Sequence, residues 1–181
     1  MGAAPPAQLT RLAEDSPAAA SSSGTPPGTA YRKLPPAVRQ HDSYMCWAAA
    51  TESWLKAVVG GSPPTQDDLA GMYSSGPNGR LEPTDFPKVA SGEGMAYKVI
   101  LAKNLDTSFI ADKLRKKGHV LLIYNLPSGK VSHANVVYGV GYPEGKDLKI
   151  SVMDPETATY VNRPSSFYAN APGGLIIAWP M

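Results

Sequence analysis

The chain changes its hydrophobic rhythm part-way along. Between residues 46 and 59, Trp47, Ala50, Trp54 and Val58 recur at helical spacing, which gathers them on one buried face. Gly60-Gly61 and Pro63-Pro64 end that helix. Thr65-Gln66-Asp67-Asp68 places a Thr at the N-cap and an acid one turn later, so a capping box opens a short helix to about Tyr73. Pro83-Thr84-Asp85 predicts another start, running to about Ser91. Thr107 is expected to cap a helix over 108–117, with Gly118 as its stop. Beyond that point the helical spacing disappears. Runs of β-branched and aromatic residues at 119–124, 134–140, 149–153 and 175–179 alternate with Pro-Ser-Gly, Pro-Glu-Gly and Pro-Gly-Gly turns. Three or four strands on short turns predict an antiparallel sheet. Helices first and strands afterwards predict an α+β fold, two lobes around a cleft. No internal repeat is visible.

Residues 1–30 follow neither rhythm. They are dominated by Ala, Pro, Ser, Gly and Thr and carry only Arg11, Glu14 and Asp15 as charges. Such a composition cannot bury enough apolar surface to offset the entropy of ordering, so the segment is expected to be a disordered leader ahead of a single domain over 31–181. It lacks the apolar stretch of a secretory signal. Pro6 stands where a myristoylation motif needs Ser or Thr.

Composition narrows the chemistry by exclusion. A net charge of +2 over 181 residues gives no electrostatic case for nucleic acid or an anionic membrane as partner. The apolar run at 120–124 is strand-sized, far short of a membrane span. One cysteine excludes an intramolecular disulfide and any CxxC zinc site; neither a metal nor another cofactor is expected, and the protein is expected to act as a monomer.

That cysteine, Cys46, lies in Gln40-His41-Asp42-Ser43-Tyr44-Met45-Cys46-Trp47, at the predicted start of the first helix. A thiol attacks only as the thiolate, and unpaired N–H groups at a helix N-terminus stabilise that anion. An adjacent imidazole takes the proton, and a carboxylate on its other nitrogen fixes the tautomer. His133 begins the run His133-Ala134-Asn135-Val136-Val137-Tyr138-Gly139-Val140, and Asp154 ends Lys149-Ile150-Ser151-Val152-Met153. Antiparallel pairing of those strands would bring the two together, which makes His133 the better base. His41 sits in the loop before Cys46, and His119 is expected to face solvent. The Cys46 N–H and the Gln40 side-chain amide are candidate donors to an oxyanion. Tyr31-Arg32-Lys33 and Arg115-Lys116-Lys117 read as solvated charge.

The order of these residues resembles the papain-like cysteine proteases: a Gln ahead of the cysteine, Cys-Trp opening a helix, then a His and a carboxylate on successive strands. The compact spacing is more similar to bacterial members, among them effector proteases that plant pathogens inject into hosts and peptidases that cleave leader peptides. The plant-type Cys-Gly-Ser-Cys-Trp signature is matched only at Cys46-Trp47. The interval from Cys46 to His133 is shorter than the roughly 130–150 residues of the plant type, and Asp154 stands where that type has Asn. The resemblance implies an N-terminal helical lobe whose catalytic helix packs on a C-terminal antiparallel sheet. It implies Cys46 as nucleophile, His133 as base, Asp154 as orienter and Gln40 as oxyanion donor. The expected reaction is hydrolysis of a peptide bond in a protein or peptide substrate, by a protein secreted through a non-classical route into a host cell, or otherwise cytoplasmic. The same groups would also serve a glutamine deamidase or transglutaminase, and the fold could persist as an inactive binding module.

Overall fold

The structure, a computed structural model, describes residues 28–126, 132–143, 145 and 147–181. Of the expected leader, 1–27 lie outside the described residues, whereas Thr29 and Ala30 are buried against the domain. In chain order the elements are β1 (Ala30–Tyr31), α1 (Cys46–Val58), α2 (Gln66–Tyr73), α3 (Phe86–Gly92), β2 (Met95–Leu101), α4 (Thr107–Lys116), β3 (Val120–Asn125), β4 (Ser132–Gly141), β5 (Lys149–Asp154), β6 (Thr159–Pro164), α5 (Ser165–Ala169) and β7 (Gly174–Pro180). The strands form one antiparallel sheet in the order β2-β7-β3-β4-β5-β6, with β1 paired to the far end of β4 through Ala30 and Val140.

The sheet is buried on both faces, which explains why β3 reads as an unbroken apolar run. Leu121 and Ile123 point to a core built with Trp47, Ala50 and Trp54 of α1, Leu69 of α2 and Phe86 and Val89 of α3. Leu122 and Tyr124 point the other way, to Ile110 and Leu114 of α4 and Tyr168 of α5. The helical lobe is therefore α1–α3. The α4 helix, expected within it, covers the opposite face of the sheet.

Four further differences from the sequence reading have identifiable causes. The section read as helical contains a strand, β2, whose residues Tyr97, Val99 and Leu101 stay exposed because it is a sheet edge. The other edge, β6, is polar for the same reason. The N-cap of α4 is Asp106, which accepts from Ser108 N at 2.8 Å, and Thr107 is the first helical residue. Finally, His119 is buried rather than solvent-facing. Its Nε2 donates to the Lys33 carbonyl at 2.7 Å, while its own carbonyl accepts from the Trp54 indole at 2.7 Å.

The residues ahead of α1 are strapped down. The Tyr31 ring covers Gly139 and Gly141 of β4, where any Cβ would collide with it. Arg32, expected to be solvated, donates to the Leu114 and Arg115 carbonyls at the end of α4, and Arg115 donates back to Thr29 O. Among the described residues, no helix is long and apolar enough to cross a membrane.

Candidate active site

The turn Asp42–Met45, closed by Met45 N donating to Asp42 O at 3.0 Å, delivers the chain into α1 with Cys46 as its first residue. Met45 at the N-cap makes no side-chain cap bond. The N–H groups of the first turn, which have no intrahelical acceptors, therefore leave the positive end of the helix dipole beside the sulfur. The helix is immobilised by the indoles of Trp47, bonded to Gly79 O at 2.8 Å, and Trp54. Cys46 is buried, with Sγ 3.6 Å from the carbonyl of Ser132, the residue before His133.

His133 is held by β4 and lies edge-on to the Tyr124 ring of β3. The β4–β5 register pairs Val136 with Met153, which sets Asp154 next to the start of β4. His133 Nε2 donates to Asp154 Oδ1 at 2.8 Å, both groups being buried. With Nε2 committed to the carboxylate, Nδ1 is the nitrogen left for the Cys46 thiol. Burial pushes the His133 imidazole down. Hydrogen bonds to Asp154 and Cys46, with the charges of both, outweigh that and raise it to about 9. Burial likewise pushes Asp154 up. The hydrogen bond and charge of His133, the Glu156 N–H at 3.0 Å and the Arg163 guanidinium outweigh it and bring the carboxyl down to about 2.

The other two histidines are elsewhere. His41 is exposed and pairs with Asp67 at 3.0 Å. His119 stands on the Lys33 carbonyl. Gln40 is tied to the same region as Cys46 and Asp154: its backbone N donates to Pro155 O at 2.9 Å and its Nε2 to Asp42 O at 3.0 Å. A primary amide has two N–H donors, so one remains for another acceptor. Gln40 Oε1 is buried without a partner among the described residues.

Several supporting residues were not legible in the sequence. Gln66, read only as part of a capping box, clamps the loop around Gln40. It accepts from His41 N at 2.9 Å and donates to Arg39 O at 2.8 Å, while its own N–H rests on Glu52 of α1 at 2.7 Å. Arg163 of β6 donates to Asp154 Oδ2 at 2.6 Å. Neither residue carries a local signal, because each acts through a partner distant in sequence. A ring nitrogen of His133 and carboxylate oxygens of Asp154 and Glu156 lie within 4.8 Å of one another, the spacing of a cation site. Asp154 already accepts from His133, Glu156 N and Arg163, and the guanidinium would repel a metal ion, so the set does not fit one.

A cleft of about 220 Å³ runs beside Cys46, floored by Trp47, Phe86, Ile123 and Ile176, with Arg80 and Glu82 at its rim. An apolar groove of about 370 Å³ adjoins it, bounded by Phe86, Tyr97 and Val99.

A cysteine at a helix N-terminus, facing a His–Asp pair on an antiparallel sheet, defines a thiol-dependent hydrolase of papain-like architecture. Residues 31–171 match the model of the family described as papain-like cysteine protease AvrRpt2, and the chain belongs to that family, so it is a cysteine peptidase. No curated protein matches it. Among solved structures it is similar to the peptidase domain of Streptococcus ComA, a bi-functional ABC transporter involved in quorum sensing. That similarity has a TM-score of 0.56 and 16% identity, and covers 80% of this chain and 97% of that one. A double glycine motif protease from an AMS/PCAT transporter, solved with its leader peptide, gives 0.56 at 20% identity over 83% and 95% of the two chains. UfSP from C. elegans gives 0.57 at 14% identity over 92% of this chain and 36% of its own.

Proposed function

We propose that Cys46, His133, Asp154 and Gln40 carry out peptide-bond hydrolysis through an acyl-enzyme. His133 Nδ1 takes the Cys46 proton, and the thiolate attacks the scissile carbonyl carbon. The oxyanion of the tetrahedral intermediate accepts from the Cys46 N–H and the second N–H of the Gln40 amide. As the C–N bond breaks, the imidazolium gives its proton to the leaving amine. Water then attacks the thioester, His133 takes a proton from it, and collapse releases the carboxylic acid and restores the thiol. Asp154 keeps the ring turned and supports its positive charge throughout.

The observation that carries this reading is the His133–Asp154 contact set against Cys46 at a helix N-terminus. The substrate is an extended polypeptide laid along the cleft; that the double glycine motif protease was solved in complex with the leader peptide supports a peptide as substrate. A thiol-directed epoxide inhibitor tests the chemistry. One adduct is expected on Cys46 of the native protein and none after His133→Ala; equal labelling of both would remove His133 as base.

We further propose that the protein is a bacterial effector, secreted by a non-classical route and acting inside a target cell. The family assignment and the unusual composition of residues 1–27 support this reading. Export of the whole chain, compared with a chain lacking 1–27, tests it: only the former is expected to reach the target cell, and equal delivery would contradict the role given to that segment.

A further inference from the structure

Asp154 is gripped from two sides. Its Oδ1 accepts from His133 Nε2 at 2.8 Å and from Glu156 N at 3.0 Å, and its Oδ2 accepts from Arg163 Nη2 at 2.6 Å. Arg163 lies on β6, beside Ile150 of β5 in the register, so its side chain runs along the strand to reach the carboxylate. The guanidinium also stacks on the Phe167 ring of α5, its carbon 4.3 Å from the ring centre. Phe167 packs edge-on to Tyr124, with centroids 5.7 Å apart, and Tyr124 packs edge-on to the His133 ring at 5.8 Å. A closed circuit results: imidazole, carboxylate, guanidinium and two aromatic rings, back to the imidazole. Arg163 Nε is buried without an acceptor among the described residues, and the polar contact described for this side chain is the one to the Asp154 carboxylate.

We propose that Arg163 is a positioning residue of the peptidase site, which acts through Asp154: by pinning Oδ2 against the Phe167 platform it keeps Oδ1 aimed at His133 Nε2. The proposal rests on the Cys46–His133–Asp154 reading above. A carboxylate held at only one oxygen can rotate about its Cβ–Cγ bond and split its hydrogen bond; one held at both cannot. A planar guanidinium that stacks and donates at once suits this task better than an ammonium.

A residue that merely lent positive charge and one that positions Asp154 differ in sign. Removing a bystander cation would raise the ionisation of His133. Losing the positioning would weaken the Asp154 bond and let it fall. Besides Arg163 itself, the charged or titratable groups facing the pair among the described residues are Cys46 from α1, Tyr124 from β3, Glu156 from the turn after β5 and Tyr168 from α5, and none of these changes in the variants below.

The test compares wild type with Arg163→Met and Arg163→Lys, each confirmed as folded by circular dichroism. Two profiles are read against pH: peptide turnover, and alkylation of the single cysteine by iodoacetamide, which needs no substrate. In the Met variant the alkaline limb should move down by about half a unit to one unit. Its kcat should fall about ten-fold with KM within about two-fold. The Lys variant should lie between it and wild type. Should Arg163→Met not fold, Phe167→Leu, which removes the platform and leaves the guanidinium, should show a smaller downward move. An alkaline limb unmoved or raised in the folded variant would overturn the proposal. A wild-type alkylation profile matching that of the denatured chain would instead sink the thiolate–imidazolium pair itself, and the proposal with it.

Discussion

At Cys46, volume and chemistry separate cleanly. Cys46→Ala and Cys46→Ser change little in the packing of the first turn of α1, so both variants should fold like wild type and show no turnover; measurable turnover in either would remove Cys46 as nucleophile. His133→Ala should cost several orders of magnitude in kcat/KM, as when a nucleophile loses its base. His41→Ala should cost little, since that ring pairs with exposed Asp67. His119→Ala should act on stability, lowering it by about 1–3 kcal/mol through the Lys33 carbonyl it leaves unpaired, with kcat retained. The pH dependence also belongs to this scale. His133 is raised from 6.5 to about 9 on folding, so the stability it contributes is complete below 6.5 and is lost as pH rises through about 9. Asp154 is lowered from 3.8 to about 2, so its contribution is present above 3.8 and is lost as pH falls toward 2. The His133–Asp154 contact enters both shifts and counts once. Asp154→Asn removes the carboxylate charge, so the alkaline limb of kcat/KM should move down from about 9; an unmoved limb would show that Asp154 does not act on the base.

The elements make their own demands. The covering of Gly139 and Gly141 by Tyr31 ties β1 to the middle of the sheet. Gly139→Ala should destabilise the protein by about 1–3 kcal/mol in urea titration, the range for overpacking a filled site. Tyr31→Ala combined with it should recover part of that loss; a neutral Gly139→Ala would mean that β1 is not clamped. Thr65→Ala should cost about 1 kcal/mol by removing one half of the capping box over α2. The elements legible in the sequence were those whose signals are local. The stripe of Trp47, Ala50 and Trp54 marks α1, the Thr65–Asp68 box marks α2, and the doubly buried apolar runs mark β3, β4, β5 and β7. The edge strands were not legible. β2 places Tyr97, Val99 and Leu101 in solvent and carries Lys98 between them, while β6 ends in Asn162-Arg163-Pro164, which taken alone reads as loop. Candidate-site residues followed the same rule. Cys46, His133 and Asp154 sit at element ends that the pattern located, whereas Arg163, Gln66 and the burial of His119 depend on partners that only the fold supplies.

At the scale of the molecule, the sheet keeps two layers apart. The face toward α1–α3 holds the cleft, and the face toward α4 and α5 holds Phe167 and Tyr168, which pack on Tyr124 behind His133. The chain from Gly28 to Arg32 straps both layers through β4 and the end of α4. A chain lacking 1–27 should therefore unfold cooperatively and turn over a peptide substrate at the wild-type rate. Removing residues through Lys33 should lower the melting temperature, because it takes away the Tyr31 and Arg32 contacts and the carbonyl that His119 uses. Loss of turnover on removing 1–27 alone would mean that this segment contributes to the active domain.

The central claim is that Cys46, activated by His133 and Asp154, hydrolyses peptide bonds. The most direct measurement is mass spectrometry of a glutamine-containing peptide library after incubation with wild type and with Cys46→Ala. New termini at defined peptide bonds, formed by wild type and absent with Cys46→Ala, are the predicted result. Intact peptides carrying the small mass gain of glutamine deamidation, or the same termini with both proteins, would contradict it.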